Sequence, residues 1–296
     1  MRTRYSACYR GRMSSEETLV RSAPGDRFFD YCLEPYQPRG RSEGKLRSEN
    51  LLWTALEVAG MQAHRATLEA LQAGLGRDMT VFGIKWDGTK IWVELYFYDP
   101  QKEDPRASVA GVKQMLAAHL EITPEVPEWA KYMMFSFDLG PGSSRIDELN
   151  LYLTGTDAHA GRSYKVGQSG AELDNTYRFL SPKAQIDEVL PLLTSSMFVD
   201  FERTPTTLAE VLLPKLFACK KVCVAKKRQR DGIYFSGIDI DQLRWFIKRF
   251  DYPAPFEALV DRHRRDFDHL FFDVGVDYEQ HGDDIVHPKT SFYGTL

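Results

Sequence analysis

Apolar and polar side chains alternate along "KIWVELYFYD", Lys90 to Asp99, with few exceptions. Ile91, Val93, Leu95 and Phe97 take one face, and Trp92, Glu94, Tyr96 and Tyr98 the other, which is the period of a β-strand. Together with "TVFGIKWDGT" before it, the segment predicts a hairpin turning at Asp87-Gly88. Three further stretches predict hairpins: Met133 to Gly155, Lys220 to Ile238, and the terminal "HLFFDVGVDYEQHGDDIVHPKTSFYGTL". A weaker fifth covers Arg27 to Glu49, with Phe29, Tyr31 and Leu33 opposed to Cys32 and Glu34. Helical periodicity fills the intervals: Glu49 to Leu75, Pro105 to Leu120, Ala184 to Leu193 with Thr207 to Phe217, and Asp241 to Phe250 followed by Pro255 to Asp266. Ser163 to Leu180 reads as an additional hairpin or loop that this repeat does not require.

A hairpin followed by one or two helices, repeated about five times, predicts one compact unit. If the apolar strand faces meet the helices, the polar and aromatic faces must look elsewhere. Closing about ten antiparallel strands into a barrel supplies that place and removes exposed sheet edges. The expected fold is therefore α/β, a closed antiparallel barrel of about ten strands surrounded by helices. Trp92, Glu94, Tyr96, Tyr98 and Asn150 are expected to line its interior.

Composition narrows the picture a little. The chain has 296 residues, 43% hydrophobic and 27% charged, as in ordinary soluble domains, and 12% aromatic, which suits strands and aromatic-lined sites. A net charge of -4 spread along the chain gives no general pull towards nucleic acid or anionic membranes. No apolar run is long enough to span a bilayer, and no secretory leader opens the chain, so a cytoplasmic protein is expected. Cys8, Cys32, Cys219 and Cys223 form no two close pairs at zinc spacing, which fits a reduced compartment. The Arg-rich "MRTRYSACYRGR" precedes an ordinary-looking "MSSEETLV" from Met13. A flexible leader over residues 1–20, or an early start codon, is expected before a single domain over 21–296.

These hairpins resemble those of the ABBA-fold aromatic prenyltransferases, which act on indoles, phenols and cyanobactin peptides and are built of repeated α-β-β-α units. The likeness runs over about Phe28 to Leu296. "DYCLEPYQP" resembles the strand bearing the Glu that accepts the indole N–H proton, and Glu34 matches it. "KLRSE" resembles the partner strand with a diphosphate-binding Arg, matched by Arg47. "MFSFDLGPGSSRIDELNLYL" is similar to a hairpin ending in a Tyr-bearing strand, matched by Tyr152, and "RQRDGIYFSGIDIDQL" contains the matching Tyr234. "KTSFYGTL" aligns Lys289 and Tyr293 with a final basic, Tyr-bearing strand. The resemblance implies transfer of a dimethylallyl or longer prenyl group from an allylic diphosphate to an indole or phenol.

That chemistry asks for cations on the leaving group, π-faces around the allylic cation and a base for the proton lost. Arg47, Lys85, Arg230 and Lys289 are the candidate clamps, assisted by Tyr152, Tyr234 and Tyr293. Glu34 is the first candidate base and Glu94 the second. Where the family often has Lys or Arg two residues before the strand Tyr, this chain has Glu94, Asn150 and Gly232. The cations must then come from neighbouring strands, or Mg²⁺ assists, or the donor is not a diphosphate. No DDxxD motif is present, and no cofactor is required beyond that optional Mg²⁺. A monomer is expected, without nucleic-acid or membrane partners.

Plainer readings stand beside these. A carrier barrel would use the same aromatics, and a peptide acceptor would use the same fold. "AKKRQRD" reads as a solvated turn, and "HGDDIVH" carries metal-ligand atoms at a spacing that matches no established site. Cys219 and Cys223 read as small buried thiols, and "DRHRRDFDH" as the charged face of a helix end.

Overall fold

The computed structural model describes residues 19–29, 34–202 and 207–296. Most of the expected leader, and Cys8, Tyr31, Cys32 and Leu33, lie outside the described residues. Ten antiparallel strands close into a barrel. They are β1 (Thr80–Trp86), β2 (Ile91–Tyr98), β3 (Met134–Leu139), β4 (Leu149–Thr154), β5 (Ala160–Gly167), β6 (Gly170–Leu180), β7 (Lys221–Lys227), β8 (Asp231–Ile238), β9 (Phe272–His281) and β10 (Asp284–Thr295). Their order around the ring is their order in the chain, and β1 pairs with β10 to shut it, from Val81 opposite Thr295 to Trp86 opposite Thr290.

Helices wrap the outside: α1 (Glu49–Ala59), α2 (Arg65–Leu75), α3 (Val109–Leu116), α4 (Ile186–Thr194), α5 (Thr207–Leu212), α6 (Ile240–Arg249), α7 (Ala254–Arg262) and the single turn α8 (Arg264–Phe267). The helical pattern from Glu49 to Leu75 is two helices, α1 and α2. Gly60 takes φ 67°, a left-handed cap that ends α1. Asp239 and Gln242 form a reciprocal capping box that starts α6 directly after β8.

Among the described residues the apolar side chains separate into two clusters. The larger joins outward strand residues such as Phe82, Leu95, Phe137, Phe235 and Phe292 to helix residues such as Leu52, Leu68, Val112, Phe246 and Phe256. The smaller lies inside the ring and is dominated by Tyr96, Tyr177, Tyr234 and Tyr293. The alternation in β2 is divided accordingly, with Val93, Leu95 and Phe97 in the outer core and Tyr96 in the inner cluster.

The strand inventory corrects one expectation. The described part of Arg27 to Glu49 adds no strand to the barrel and makes only the isolated bridges Arg21–Leu46 and Phe29–Pro35. The fifth pair is β5 and β6, the segment that the repeat left over. No helix among the described residues is long and apolar enough to cross a membrane.

Candidate active site

Every second strand of the ring contributes an inward tyrosine to one girdle: Tyr96 from β2, Tyr152 from β4, Tyr177 from β6, Tyr234 from β8 and Tyr293 from β10. Ring centroids lie 6.2 Å apart for Tyr96–Tyr152, 6.2 Å for Tyr152–Tyr177 and 5.8 Å for Tyr96–Tyr293, within the range of favourable aromatic pairs. Such rings fit because the positions registered opposite them are small. Gly83 faces Tyr293, Gly275 faces Tyr234, Gly161 and Ala225 face Tyr177, and Ser163 faces Tyr152. A Cβ on Gly275 would sit 2.3 Å from Tyr234 Cδ1. Gly275→Ala is therefore expected to cost about 1–3 kcal/mol of unfolding free energy through overpacking. Urea denaturation checks this, and unchanged stability would mean that the girdle has slack.

The tyrosine hydroxyls are tied to the wall. Tyr96 donates to Glu94, Tyr152 bonds Ser136 Oγ at 3.3 Å, Tyr177 accepts from Asn175 at 2.8 Å, Tyr234 accepts from Lys227 at 2.9 Å and Tyr293 bonds Ser291 at 3.0 Å. Burial pushes the phenol pKa values of Tyr152, Tyr177, Tyr234 and Tyr293 up, so they stay neutral.

On one side of this girdle, towards the tight hairpin turns, lies a charged chamber of about 860 Å³. Glu94 is its most heavily bonded anion. It accepts from Lys85 at 2.7 Å, Ser136 at 2.5 Å, Asn150 at 3.2 Å and Tyr96. Burial opposes its charge, yet Lys85 and these donors hold the carboxyl well below the usual range. Lys85 also meets Asp138 at 2.7 Å, whose carboxylate opens to the chamber and is pushed up by burial and by the Glu94 charge. A second group joins Lys227 and Lys289 to Asp277, the latter pair at 3.0 Å. Burial, helped by Lys289 and Lys85, brings the Lys227 ammonium down to about 8, while its two lysines overcome burial to hold Asp277 at about 2. Six Lys or Arg and seven Asp or Glu side chains line the chamber, so it carries no surplus of positive charge.

On the other side lies a second chamber of about 730 Å³, lined by Tyr98, Met133, Met134, Leu153, Phe179 and Leu180 among others. Tyr152 and Tyr177 line both chambers.

The structure distributes the expected residues unevenly. Trp92, Glu94, Tyr96, Asn150, Lys85, Tyr152, Tyr234, Lys289 and Tyr293 come together around the charged chamber, with Arg230 at its rim in the turn between β7 and β8. Tyr98 belongs to the second chamber. Glu34 lies at the edge of that second chamber, 63% exposed and paired with Lys221, away from Glu94. Arg47 is outside the lumen altogether. It is 3% exposed, and its guanidinium is shared by Asp26 at 2.9 Å, Glu49 at 3.0 Å and Asp78 at 2.5 Å, which removes it from the group of lumen cations.

Sequence reasoning did not find Tyr177, Asp138, Lys227 or Asp277. Tyr177 sits in the unplaced hairpin, and Lys227 in a run that read as a solvated turn. Its signal was Gly232: a Cβ there would come 3.0 Å from Lys227 Cε, so the missing side chain two residues before Tyr234 is the space that Lys227 fills from the next strand. Cys219 and Cys223 are buried thiols. His281 pairs with Glu279 and His287 bonds the Glu210 carbonyl; no group of three or more His, Cys, Asp or Glu among the described residues is arranged to hold a metal.

A solved structure to which the chain is similar is AnaPT from Neosartorya fischeri, with 10% identity and a TM-score of 0.48 over 84% of this chain and 92% of that one. The fold is that of the ABBA barrel. No family model matches the sequence, and no curated protein matches it.

Proposed function

We propose that this barrel transfers a prenyl group from an allylic diphosphate to an electron-rich aromatic ring, an indole or a phenol. The observation that carries the reading is the girdle of five tyrosines set directly beside a lysine-bearing chamber within a closed lumen. Lys85, Lys227, Lys289 and Arg230 would hold the diphosphate as the allylic C–O bond breaks and its electron pair leaves with the phosphate oxygen. Neutral tyrosine faces would shelter the allylic cation from water. A ring carbon of the acceptor then bonds the cation, and the proton lost as aromaticity returns passes to a carboxylate. Glu94 is the better placed acceptor for it, because it touches the girdle through Tyr96, whereas Glu34 sits at the far mouth. A diphosphate-bound Mg²⁺ would meet Asp138, the carboxylate open to the chamber, and keep most of its shell from phosphate and water.

The test is incubation of the protein with allylic diphosphates and a panel of indoles and phenols, reading the mass gain of one prenyl group. Binding without any product would favour a carrier, a reading supported by one observation: Lys85, Lys227 and Lys289 are each already paired with carboxylates.

The pH dependence follows from Lys227. It faces Tyr234, Asp277, Lys289 and Lys85. Below about pH 8 it is an ammonium that attracts the diphosphate, and above that pH it is an amine that does not. Affinity for a prenyl thiolodiphosphate, an unreactive donor mimic, should therefore fall about tenfold as pH rises through about 8, and Lys227→Met should abolish the slope. A flat profile by calorimetry in the native protein would remove Lys227 from the anion site.

A further inference from the structure

We propose that the second chamber receives the distal isoprene units of the donor, so that the protein uses a geranyl or farnesyl chain in preference to dimethylallyl. The inference rests on the prenyl-transfer reading and names its donor class.

Three strands carry the argument. Along β4 the inward residues run from Asn150 in the charged chamber, through Tyr152 on the boundary, to Thr154 in the second chamber. Along β6 the same passage is Asn175, Tyr177 and Phe179. Along β2, Glu94 and Tyr96 line the charged chamber and Tyr98 the second. Each step of two residues advances about 6.6 Å along the strand, so the lumen changes from charged to apolar over about 13 Å. A diphosphate held by the lysines places the first isoprene unit against the tyrosines. A five-carbon group ends there.

Beyond it the lumen-side wall is Tyr98, Met133, Met134 and Phe179, a surface that adapts to an alkyl chain, with Glu34, Asp157, Lys220 and Lys221 at the polar outer edge of the chamber. Methionine thioethers and aromatic faces are the surroundings that a branched, unsaturated hydrocarbon fills well. At about 730 Å³ the space exceeds what one isoprene unit needs, and Tyr152 and Tyr177 line both it and the charged chamber. Burying five further carbons is worth a large share of the transfer free energy of a hydrocarbon, and at least tenfold in affinity survives ordering costs as an order-of-magnitude expectation.

Calorimetry with dimethylallyl, geranyl and farnesyl thiolodiphosphates on the native protein and on Thr154→Trp and Met133→Trp tests this. Neither position is fully buried, so a larger side chain can enter the chamber without overpacking the outer core, and circular dichroism with a thermal melt confirms folding. The expected result is that geranyl binds at least about tenfold tighter than dimethylallyl in the native protein. In the two variants that advantage should shrink to about twofold, with dimethylallyl affinity unchanged. Equal affinity for all three lengths in the native protein would overturn the inference while leaving the donor reading standing, and would assign the chamber to the acceptor. Binding of none of the three would overturn the prenyl-transfer reading, and the inference with it.

Discussion

Replacing Arg47 by methionine should lower the unfolding free energy by about 3–5 kcal/mol, because Asp26, Glu49 and Asp78 would be left as buried carboxylates with their shared cation gone. The guanidinium is held at 4% side-chain exposure, and although burial works against its charge, Asp78 and Glu49 raise its pKa further. Glu49 also accepts from Gln72 on α2 at 3.1 Å, and Asp78 from the Arg27 backbone at 3.0 Å. The substitution therefore loosens the N-terminal segment, α1 and the entry to β1 together. Urea denaturation gives the loss directly. Donor-mimic affinity of the folded protein should be unchanged, since Arg47 lies outside both chambers. Weakened mimic binding at native stability would be the opposite result, and would return Arg47 to the diphosphate.

Glu94→Gln should reduce turnover by about 10²–10⁴ while leaving donor-mimic binding within a few-fold. The amide keeps the shape and one acceptor oxygen for Ser136 and Asn150, so the lumen wall should hold. It cannot take a proton, and it withdraws one of the two charges that balance Lys85. Freed partly from its carboxylates, Lys85 would bind the diphosphate no worse, which separates a fall in kcat from a loss of binding. Full turnover in this variant would exclude Glu94 as the proton acceptor and leave Asp138 to be tested in the same way.

The sequence and the structure agree where a strand has a helix on its outer face. β2 was legible because Ile91, Val93, Leu95 and Phe97 all bury against the outer core, so the alternation is strict. β5 and β6 were not, for the converse reason. Much of their outer face is open to solvent, with Arg162 and Thr176 exposed and Leu173 45% exposed, while Lys165 and Glu172 face the charged chamber, so polar residues occupy both sides. A register shift between Ser163 and Tyr164 also breaks the period. Arg27 to Glu49 differs in the opposite direction: its alternation centres on Tyr31, Cys32 and Leu33, outside the described residues, and its described part makes only isolated bridges.

The site divides along the same line. Tyr96, Tyr152, Tyr234 and Tyr293 could be found because each stands on an alternating strand, whereas Tyr177 shares the obscurity of β6. Lys227 and Asp277 are joined across strands whose pairing no local pattern reveals, and Lys227 reaches the lumen only because Gly232 leaves room. Glu34 and Arg47 were placed by short echoes of a family pattern, which carry no register.

The seam between β1 and β10 matters for how the molecule is made. Val81 must find Thr295, so the pairing that shuts the ring cannot form until the ribosome has synthesised nearly all of the residues described here. Until then β1 presents an unpaired edge and the tyrosines already made lack the partner strand that completes their girdle, a surface suited to capture by a chaperone or by another nascent chain. Damage to the last strand should accordingly appear as insoluble protein in the cell before it appears as a change in chemistry.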